Sequence, residues 1–564
     1  MTLIDAVLAS RGLTDAHARQ AFLHPEYDAY RHDPFLLPDM DRAVQRLRVA
    51  HARKETVVIY GDYDIDGLSA TTLLLDAFAS FGINVRAFIP NRFVEGYGLA
   101  ASAIDDIAKN GADLIVTVDC GSLSHTEIAY AAKLGVDVIV TDHHSVADTM
   151  PPAVAVINPK RLAEEHADLY ENYLLKKPNA QLYPFLDLAG VGVAFKLVQA
   201  MQQTMEGLED GHEKWLLDLV ALGTVCDVVQ LRDENRANVF WGLQVMKKTR
   251  RPGLRLLMAV SGVAPEKLNA RSLGFALGPR LNAAGRLETA QLALDLLTTN
   301  DNTRALELAE LLDTMNRQRR TEQDRIFKAA KKQVDTERAN DAVIVVSDPT
   351  WSHGIIGIVA AKLLETYYKP TFVLQELEDG TAKGSARSFG DFSAVEAIRA
   401  TETLLIKGGG HKLAAGVTLD TQNIVSWRSA MNKFYRGLRL VDQLRHLQPK
   451  SDVTLNDFRL CTEGNIEDLS RMEPYGNGNP EPVFEFMKLT VTDRRTMGAD
   501  RQHVKYSFRD KNGQSMDMIA FNKAHEFTAD VGENVQVLCE LGINEWNGRR
   551  SIEGVLKRLE LVSL

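Results

Sequence analysis

The stretch Tyr60-Gly61-Asp62-Tyr63-Asp64-Ile65-Asp66-Gly67 decides the fold, because it joins an apolar run to three closely spaced acids. The apolar run, residues 56–60, reads Thr-Val-Val-Ile-Tyr, which is typical of a buried strand. The three aspartates alternate along the chain, so their side chains point the same way if the chain stays extended. Carboxylates packed this closely repel one another, and one or two divalent cations would remove that cost. We therefore predict a strand that ends in a metal-binding loop.

A calcium-binding EF-hand is the alternative interpretation of this loop, because it begins with similar letters. Its twelfth position should be a glutamate, and that position is Leu73 here. An EF-hand loop also follows a helix, whereas this loop follows a predicted strand. We reject the EF-hand on both grounds.

Four further apolar segments follow the loop, and helical patterns such as 69–81 and 127–134 lie between them. The segments are 85–89, 114–118, 137–141 and 153–157. This alternation predicts an α/β fold with a parallel sheet that helices cover on both faces. Segment 114–118 runs into Asp119, and segment 137–141 runs into Asp142-His143-His144. Because the carboxyl ends of parallel strands share one edge, three acidic clusters should converge on one crevice.

Asp227 is a fourth acidic candidate, in an apolar stretch (219–229) that we expect to be helical. A lone charge in such a stretch needs a partner, and a metal would serve. Mostly oxygen ligands with one imidazole suit Mn²⁺ or Mg²⁺ better than a structural zinc. Two such ions about 3.5–4 Å apart would clamp a phosphoryl group and activate a water molecule. The alternative, that these acids are loop caps and surface charges, fits three clusters and a His-His pair poorly.

The rest of the chain predicts further domains. Residues 1–50 indicate short helices, 160–186 a polar surface insertion, 187–300 mostly helix, and 302–338 one long connecting helix. A second α/β region follows, with strands at 341–347 and 370–374 and a glycine-rich segment at 408–416. From about residue 452, short strands (503–508, 516–521, 534–541) and Asn-Gly turns at 512–513 and 547–548 indicate a small β-barrel. We place the domain boundaries at 1–50, 51–300, 301–340, 341–450 and 451–564.

The composition is that of an ordinary globular protein. The 564 residues are 45% hydrophobic and 25% charged, with a net charge of −10, which excludes disordered, collagen-like and disulfide-scaffold classes. Four cysteines without a CxxC pair favour a reducing compartment, so we expect a cytoplasmic protein. The first residues lack the basic region of a signal peptide, and apolar runs are shorter than the ~18 residues of a membrane helix. Basic residues concentrate at 247–255 and 317–332, either to line a nucleic-acid channel or as solvated helix faces.

The acidic motifs are identified as those of a known superfamily. The sequences GDYDIDG (61–67), TVDCG (117–121), TDHH (141–144) and ALGTVCDVV (221–229) resemble the four motifs of the DHH phosphoesterases. Blocks 89–98, 278–286, 383–388, 408–416 and 474–480 are similar, in the same order, to the bacterial RecJ family of single-strand-specific exonucleases. The resemblance implies a DHH catalytic domain, a connecting helix, a DHH-associated α/β domain and an oligonucleotide-binding (OB) barrel, with DNA threading between the two lobes.

The resemblance also implies roles for individual residues. The expected ligands of two Mn²⁺ or Mg²⁺ ions are Asp62, Asp64, Asp66, Asp119, His143 and Asp227, with Asp119 bridging the ions. His144 is expected to contact the scissile phosphate rather than a metal. The residues that match family positions around the DNA phosphates are Arg280, Asn282, Ser385, Arg387 and His411. Gly409 lies in a glycine-rich turn whose backbone amides could meet a phosphate. Arg92 and Tyr97 lie just past the second strand, on the edge of the acids, where they could contact a phosphate and a base or belong to a structural loop. Cys120 departs from the family pattern, as does insertion 160–186. We interpret Cys120 as a small buried residue, with a soft extra metal ligand as the alternative.

Aromatic residues of the barrel are further candidates for contact with DNA. Tyr506, Phe508, Phe521 and Trp546 could stack on bases. Strand alternation buries one face of a barrel sheet, so we expect half of the four to belong to the core instead.

The function implied is a metal-dependent 5′→3′ exonuclease on single-stranded DNA that releases nucleoside 5′-monophosphates in recombination and repair. We expect a monomer without membrane association, with a single-stranded-DNA-binding protein and a RecQ-type helicase as partners. One alternative is a DHH phosphodiesterase that acts on short oligonucleotides or cyclic dinucleotides. The length of the chain and the C-terminal barrel argue against this alternative. The other is a non-catalytic DHH scaffold at a replication fork, which missing acids would mark, and none is missing.

Overall fold

The computed structural model describes residues 2–92, 94–96, 98–163, 182–546 and 548–562. The chain forms two compact units. The first comprises Met1–Gly278, Leu296–Ala305 and Pro449–Leu564, and the second comprises Pro279–Asp295 and Leu306–Gln448. Most of the predicted insertion, residues 164–181, lies outside the described residues.

A five-stranded parallel sheet forms the centre of the first of the two domains in this unit. Its strands are β1 (Thr56–Gly61), β2 (Asn84–Phe88), β3 (Leu114–Val118), β4 (Asp137–Thr141) and β5 (Ala155–Ile157). They lie in the order β2-β1-β3-β4-β5, and every neighbouring pair is parallel. Each strand begins and ends within two residues of its predicted position. The interior strands consist mostly of buried apolar residues, as expected for a sheet that helices cover on both faces.

Helices precede, separate and follow the strands of this sheet along the chain. They are α1 (Leu3–Ser10), α2 (Ala16–Leu23), α3 (Met40–Arg53), α4 (Ile65–Ser80), α5 (Ala101–Lys109), α6 (His125–Lys133), α7 (Gly190–Gln202), α8 (Leu217–Cys226), α9 (Asp233–Met246) and α10 (Pro252–Val260). A π-helical turn, Leu273–Leu277, then leads into α11 (Gly278–Leu287) and α12 (Gln291–Thr298). The prediction that residues 187–300 are mostly helical is confirmed.

The C-terminal strands close into a barrel, as predicted. They are β11 (Val453–Leu455), β12 (Val483–Met497), β13 (His503–Arg509), β14 (Ser515–Ala520), β15 (Asn534–Trp546) and β16 (Arg549–Leu561), in the order β11-β12-β13-β14-β16-β15. An additional β12–β15 pairing completes the closure. Tyr506 and Phe508 are fully buried in the barrel core, as expected for half of the candidate aromatics, whereas Phe521 is exposed.

The N-terminal helix α1 packs against this barrel, which the sequence did not predict. Leu3, Ile4 and Val7 belong to the same buried cluster as the inward-facing barrel residues and helix α17 (Glu463–Leu469). Arg11, which follows α1, forms an ion pair with Asp452 at 2.7 Å. The two ends of the described chain therefore share one hydrophobic core.

The second unit contains a mixed five-stranded sheet. Its strands are β6 (Ile344–Asp348), β7 (Thr371–Glu376), β8 (Thr381–Arg387), β9 (Lys407–Gly410) and β10 (Ala414–Asp420), in the order β6-β7-β8-β10-β9. Its further helices are α14 (His353–Tyr367), α15 (Ala394–Ala400) and α16 (Ile424–Gly437). The glycine-rich segment forms the antiparallel β9–β10 hairpin.

The predicted long helix over 302–338 is confirmed. Helix α13 spans Asn302–Gln333, and a π-helical turn continues it to Arg338. Helices across the described ranges include none that is long and apolar enough to span a membrane.

Candidate metal centre

The carboxyl ends of β1, β3 and β4 bring the predicted acids and histidines together. Three groups of side chains each place their ligand atoms within 4.8 Å of one another. The groups are Asp62, Asp64 and Asp119; Asp66, His143 and Asp227; and Asp119, His143 and His144. Asp119 belongs to two of these groups, so its carboxylate lies between the others.

His143 lies at the centre of the cluster. Its Nε2 atom is 3.0 Å from an Asp119 oxygen, 3.6 Å from Asp227 and 3.8 Å from Asp66. Among the residues described, His143 Nε2, Asp119 Oδ1 and Asp62 Oδ1 are buried and have no hydrogen-bond partner. Buried polar atoms normally find such partners, so these three lone-pair-bearing atoms fit a cation between them.

The pKa values of the acids show how unfavourable the metal-free cluster is. Burial first, and then the charge of neighbouring aspartates, raises the pKa of Asp66 to about 7 and that of Asp227 to about 8. The same causes raise the pKa values of Asp62 and Asp119 well above the ordinary range. A divalent cation would supply the positive charge that the protons supply in its absence.

The two histidines have opposite electrostatic environments. Burial and the charge of His144 lower the pKa of His143 to about 3, which keeps its imidazole neutral, as a metal ligand must be. Burial also opposes charge on His144, but Asp142 outweighs it, and the pKa of His144 rises to about 9. The Asp142 carboxylate lies 2.9 Å from His144 Nδ1 and accepts a hydrogen bond from the Nδ1–H group.

Asp142 is a positioning residue that sequence reasoning did not single out. Besides His144 Nδ1, its carboxylate accepts the backbone N–H groups of Ser122, His143 and His144. These bonds fix the loop after β4 against the loop after β3. The signal was present in the sequence, because Asp142 is the first letter of the DHH motif.

The amino end of α7 supplies a second feature that the sequence interpretation missed. The backbone N–H groups of Gly190 and Val191 donate to the Asp66 carboxylate at 2.6 and 2.9 Å. A Cβ atom on Gly190 would lie 2.8 Å from the Cβ and Oδ1 atoms of Asp119, so only glycine fits. The Gly-Val-Gly triplet at 190–192 is no dinucleotide fingerprint, because Phe195 replaces the third glycine. The triplet instead allows the backbone to lie against two candidate metal ligands, Asp66 and Asp119.

Asp64 and Asp227 occupy the ends of helices. The Asp64 carboxylate accepts hydrogen bonds from the backbone N–H groups of Asp66 and Gly67 and so caps the amino end of α4. Asp227 was expected inside a helix, but α8 ends at Cys226 and Asp227 is its C-terminal cap. The next residue, Val228, has a φ of 62°, which explains why the helix stops there. A capping position leaves the carboxylate able to face the cluster.

Cys120 is a core residue of the sheet. Its side chain is buried among apolar residues, and none of the three ligand groups includes it. Burial raises the pKa of its thiol well above the ordinary range, so it stays protonated. These observations agree with the interpretation of Cys120 as a small buried residue.

The residues expected to bind DNA lie in both units. In the first unit, the Arg92 guanidinium lies 4.2 Å from the centre of the Tyr63 ring, within the acidic loop, and Tyr97 is outside the described residues. In the second unit, Arg280 forms an ion pair with Asp313 at 2.9 Å, and Asn282 is half-buried on the same helix.

The remaining DNA-binding candidates belong to the sheet of the second unit. Ser385 and Arg387 are half-buried on β8, where Arg387 Nη1 donates to the Ala386 carbonyl at 2.7 Å. Gly409 lies on exposed strand β9, and His411 is exposed in the turn that follows it.

A parallel sheet with this acid and histidine cluster at its carboxyl edge defines a metal-dependent phosphoesterase. Residues 56–224 match the DHH family N-terminal domain, residues 340–437 the DHHA1 domain, and residues 452–558 the RecJ OB domain. The chain belongs to the RecJ family of single-stranded-DNA-specific exonucleases.

Two curated relatives illustrate the membership. The chain is 35% identical to the single-stranded-DNA-specific exonuclease RecJ of Bacillus subtilis, over 98% of this chain and 67% of that protein. It is 34% identical to the RecJ of Dickeya dadantii, over 99% and 96% of the two chains.

Solved structures give the same result. The RecJ of Thermus thermophilus in complex with Mn²⁺ superposes with a TM-score of 0.81 at 30% identity, covering 99% of this chain and 76% of that one. The same protein in complex with Mg²⁺ gives a TM-score of 0.75 at 29% identity, covering 99% and 74%. Those two structures hold Mn²⁺ and Mg²⁺, and this chain has groups of acids and histidines that could hold such an ion.

Proposed function

We propose that this chain degrades single-stranded DNA from the 5′ end, in recombination and repair, and releases nucleoside 5′-monophosphates. The observation that carries the proposal is the buried trio of ligand atoms on Asp62, Asp119 and His143, which make no hydrogen bond within the described chain. Such atoms suit cations, and two cations held close together are the usual means of cleaving a phosphodiester.

The ligand groups suggest which residues hold each ion. One ion is held by Asp66, His143 and Asp227, and the other by Asp62 and Asp64. Asp119 belongs to both sites, because its oxygen lies 3.0 Å from His143 and within 4.8 Å of Asp62 and Asp64. When bound, the two ions polarise the phosphate and make the attacking water more acidic.

His144 binds the scissile phosphate in this proposal. Asp142 accepts a hydrogen bond from His144 Nδ1–H and supports the positive charge of the ring, and the Nε2–H group is the proposed donor to a phosphate oxygen. Partial exposure of the His144 side chain is compatible with such access, whereas His143 is buried. Asp142 therefore acts on the substrate through His144.

Each unit carries residues that we propose as contacts with DNA. Arg92, held over the Tyr63 ring, offers its guanidinium to a phosphate, and Tyr97 is proposed to stack on a base. The other proposed DNA contacts are Arg280, Asn282, Ser385, Arg387, Gly409 and His411. We also propose the domain boundaries 51–300, 301–340, 341–450 and 451–564, preceded by the helical segment 1–50.

The cellular setting is likewise a proposal. We propose a cytoplasmic monomer that meets a single-stranded-DNA-binding protein and a RecQ-type helicase. Sparse cysteines, all of them free, suit a reducing compartment. A single-strand exonuclease needs a helicase to supply its substrate from a duplex.

Digestion of end-labelled DNA tests the function. Single strands carrying a 5′ or a 3′ label, and a blunt duplex of the same sequence, are incubated with Mn²⁺, Mg²⁺ or EDTA. We expect rapid release of a mononucleotide from the 5′ label, a resistant duplex, and no reaction in EDTA. Early release from the 3′ label, equal rates on the duplex, or cleavage of dinucleotides alone would contradict the proposal.

A further inference from the structure

Phe275 is an exposed aromatic residue that the proposed mechanism does not use. Its side chain is 72% exposed, and among the described phenylalanines only Phe521 is comparably open to solvent. A phenylalanine ring in water forgoes a large hydrophobic gain, so a ring that is held in solvent by a rigid support is open to a binding partner.

The support beneath Phe275 is rigid. The residue lies in the π-helical turn Leu273–Leu277, and Leu273 and Leu277 on either side of it are fully buried. A π-helical turn is a rare structure that occurs often at functional sites. The two buried leucines anchor the turn, so the ring between them is presented to solvent by a fixed backbone.

A guanidinium accompanies the ring. The Arg271 guanidinium carbon lies 5.5 Å from the centre of the Phe275 ring. Arg271 is itself exposed, and its nearest acidic partner, Glu481, is 3.9 Å away. An aromatic face with an adjacent cation is the combination by which proteins hold single-stranded nucleic acid, the ring against a base and the cation near the backbone.

The turn also adjoins the metal centre. The Leu273 carbonyl lies 3.7 Å from the Cys226 thiol, and Cys226 directly precedes the candidate ligand Asp227. A Cβ on Gly278, the residue after the turn, would lie 2.8 Å from the same sulfur and 3.3 Å from Ile65, which separates Asp64 from Asp66. The turn therefore packs directly on the two elements that carry the metal ligands.

We propose that Phe275 and Arg271 form a nucleobase-stacking subsite for single-stranded DNA beside the metal centre. The inference rests on the proposed function, and it adds a base contact to a site otherwise made of metal and phosphate ligands. Because stacking tolerates every base, the subsite binds the strand without sequence preference and excludes a base that is still paired.

Steady-state kinetics of Phe275→Ala on a single-stranded oligonucleotide tests the subsite. We expect KM to rise about 5- to 100-fold with kcat within about twofold, because the ring does not touch the reacting atoms. Phe275→Trp should restore KM. Trp215→Ala is the matched control. Arg250 lies 4.3 Å from the centre of the Trp215 ring, but Trp215 stands just before the amino end of α8, whereas Asp227 caps the carboxyl end.

Binding to oligonucleotides with one abasic site gives a second measurement. In the wild type one abasic position should weaken binding most, and in Phe275→Ala that position dependence should disappear. Unchanged KM in Phe275→Ala, an equal change in Trp215→Ala, or persistence of the position dependence would overturn the subsite. A wild-type protein that leaves single strands intact would instead contradict the proposed function itself.

Discussion

At the scale of single residues, Asp119 is the most demanding position of the site, because it belongs to two ligand groups. We expect Asp119→Ala to lose at least about 100-fold in turnover, since charge stabilisation by metals contributes several kcal/mol. The metal-free variant should melt at a higher temperature, because one acid leaves a crowded cluster. Nuclease assays and thermal melting measure both.

Asp113→Ala, at the amino end of the same strand, is the control, and more than about a tenth of wild-type turnover in Asp119→Ala would refute the shared-ligand role.

Substitutions of the two neighbouring histidines should differ in their effect on Mn²⁺ affinity and on turnover. His143→Ala should weaken both Mn²⁺ affinity and turnover, because Nε2 is surrounded by three carboxylates. His144→Ala should reduce turnover while Mn²⁺ affinity changes little, because Asp142 holds its Nδ1 atom. Calorimetric titration of Mn²⁺ into each variant separates the two roles. Equal losses of affinity would make His144 a metal ligand, as the Asp119, His143 and His144 group allows.

At the scale of elements, the amino end of α7 controls the position of two acids. Gly190→Ala should reduce kcat/KM by more than about tenfold, because the new Cβ would displace Asp119, and about 1.4 kcal/mol of lost stabilisation suffices for that. Gly192→Ala is the matched control, since its Cβ would meet Leu188 at an ordinary 3.4 Å. Equal activities of the two variants would show that the close contact between Gly190 and Asp119 does not affect catalysis.

Elements differed in how far the sequence predicted them. The parallel strands were predictable because strands buried on both faces are continuous apolar runs, and the acids were predictable because they follow such runs. The contact of Gly190 with Asp66 joins residues 124 positions apart, and no local pattern encodes such a separation. The sequence predicted Asp227 inside a helix because its neighbours are apolar. The helix instead ends before Asp227, and the residue sequence does not reveal the positive φ of Val228 that ends it.

At the scale of the whole molecule, the acid cluster should make the metal-free protein sensitive to pH. The folded-state pKa values of Asp66 and Asp227, about 7 and 8, exceed the unfolded value of about 3.9. The folded state then binds more protons, so its stability is greatest below about pH 4 for these groups and falls as pH rises toward 8.

Thermal melting in EDTA tests this pH dependence. The melting temperature should drop by several degrees between pH 5 and pH 8, since about 1 kcal/mol shifts it by about 2–4 °C in a domain of 150–250 residues. Added Mn²⁺ should raise it more at pH 8 than at pH 5. An Asp66→Asn, Asp227→Asn double variant should show a flatter profile, and an unchanged slope in that variant would contradict the assignment.

The shared core of α1 and the barrel has a consequence for how the chain is made. Arg11 and its partner Asp452 are separated by 441 positions. At about 5–20 residues per second, a ribosome needs roughly 20 to 90 seconds to synthesise that interval. During that time Leu3, Ile4 and Val7 have no barrel to cover them, although the sheet that carries the acids is already complete. Helix α1 is therefore synthesised long before the barrel that buries it, and a nascent chain stalled before residue 452 would carry an assembled acid cluster and an uncovered α1.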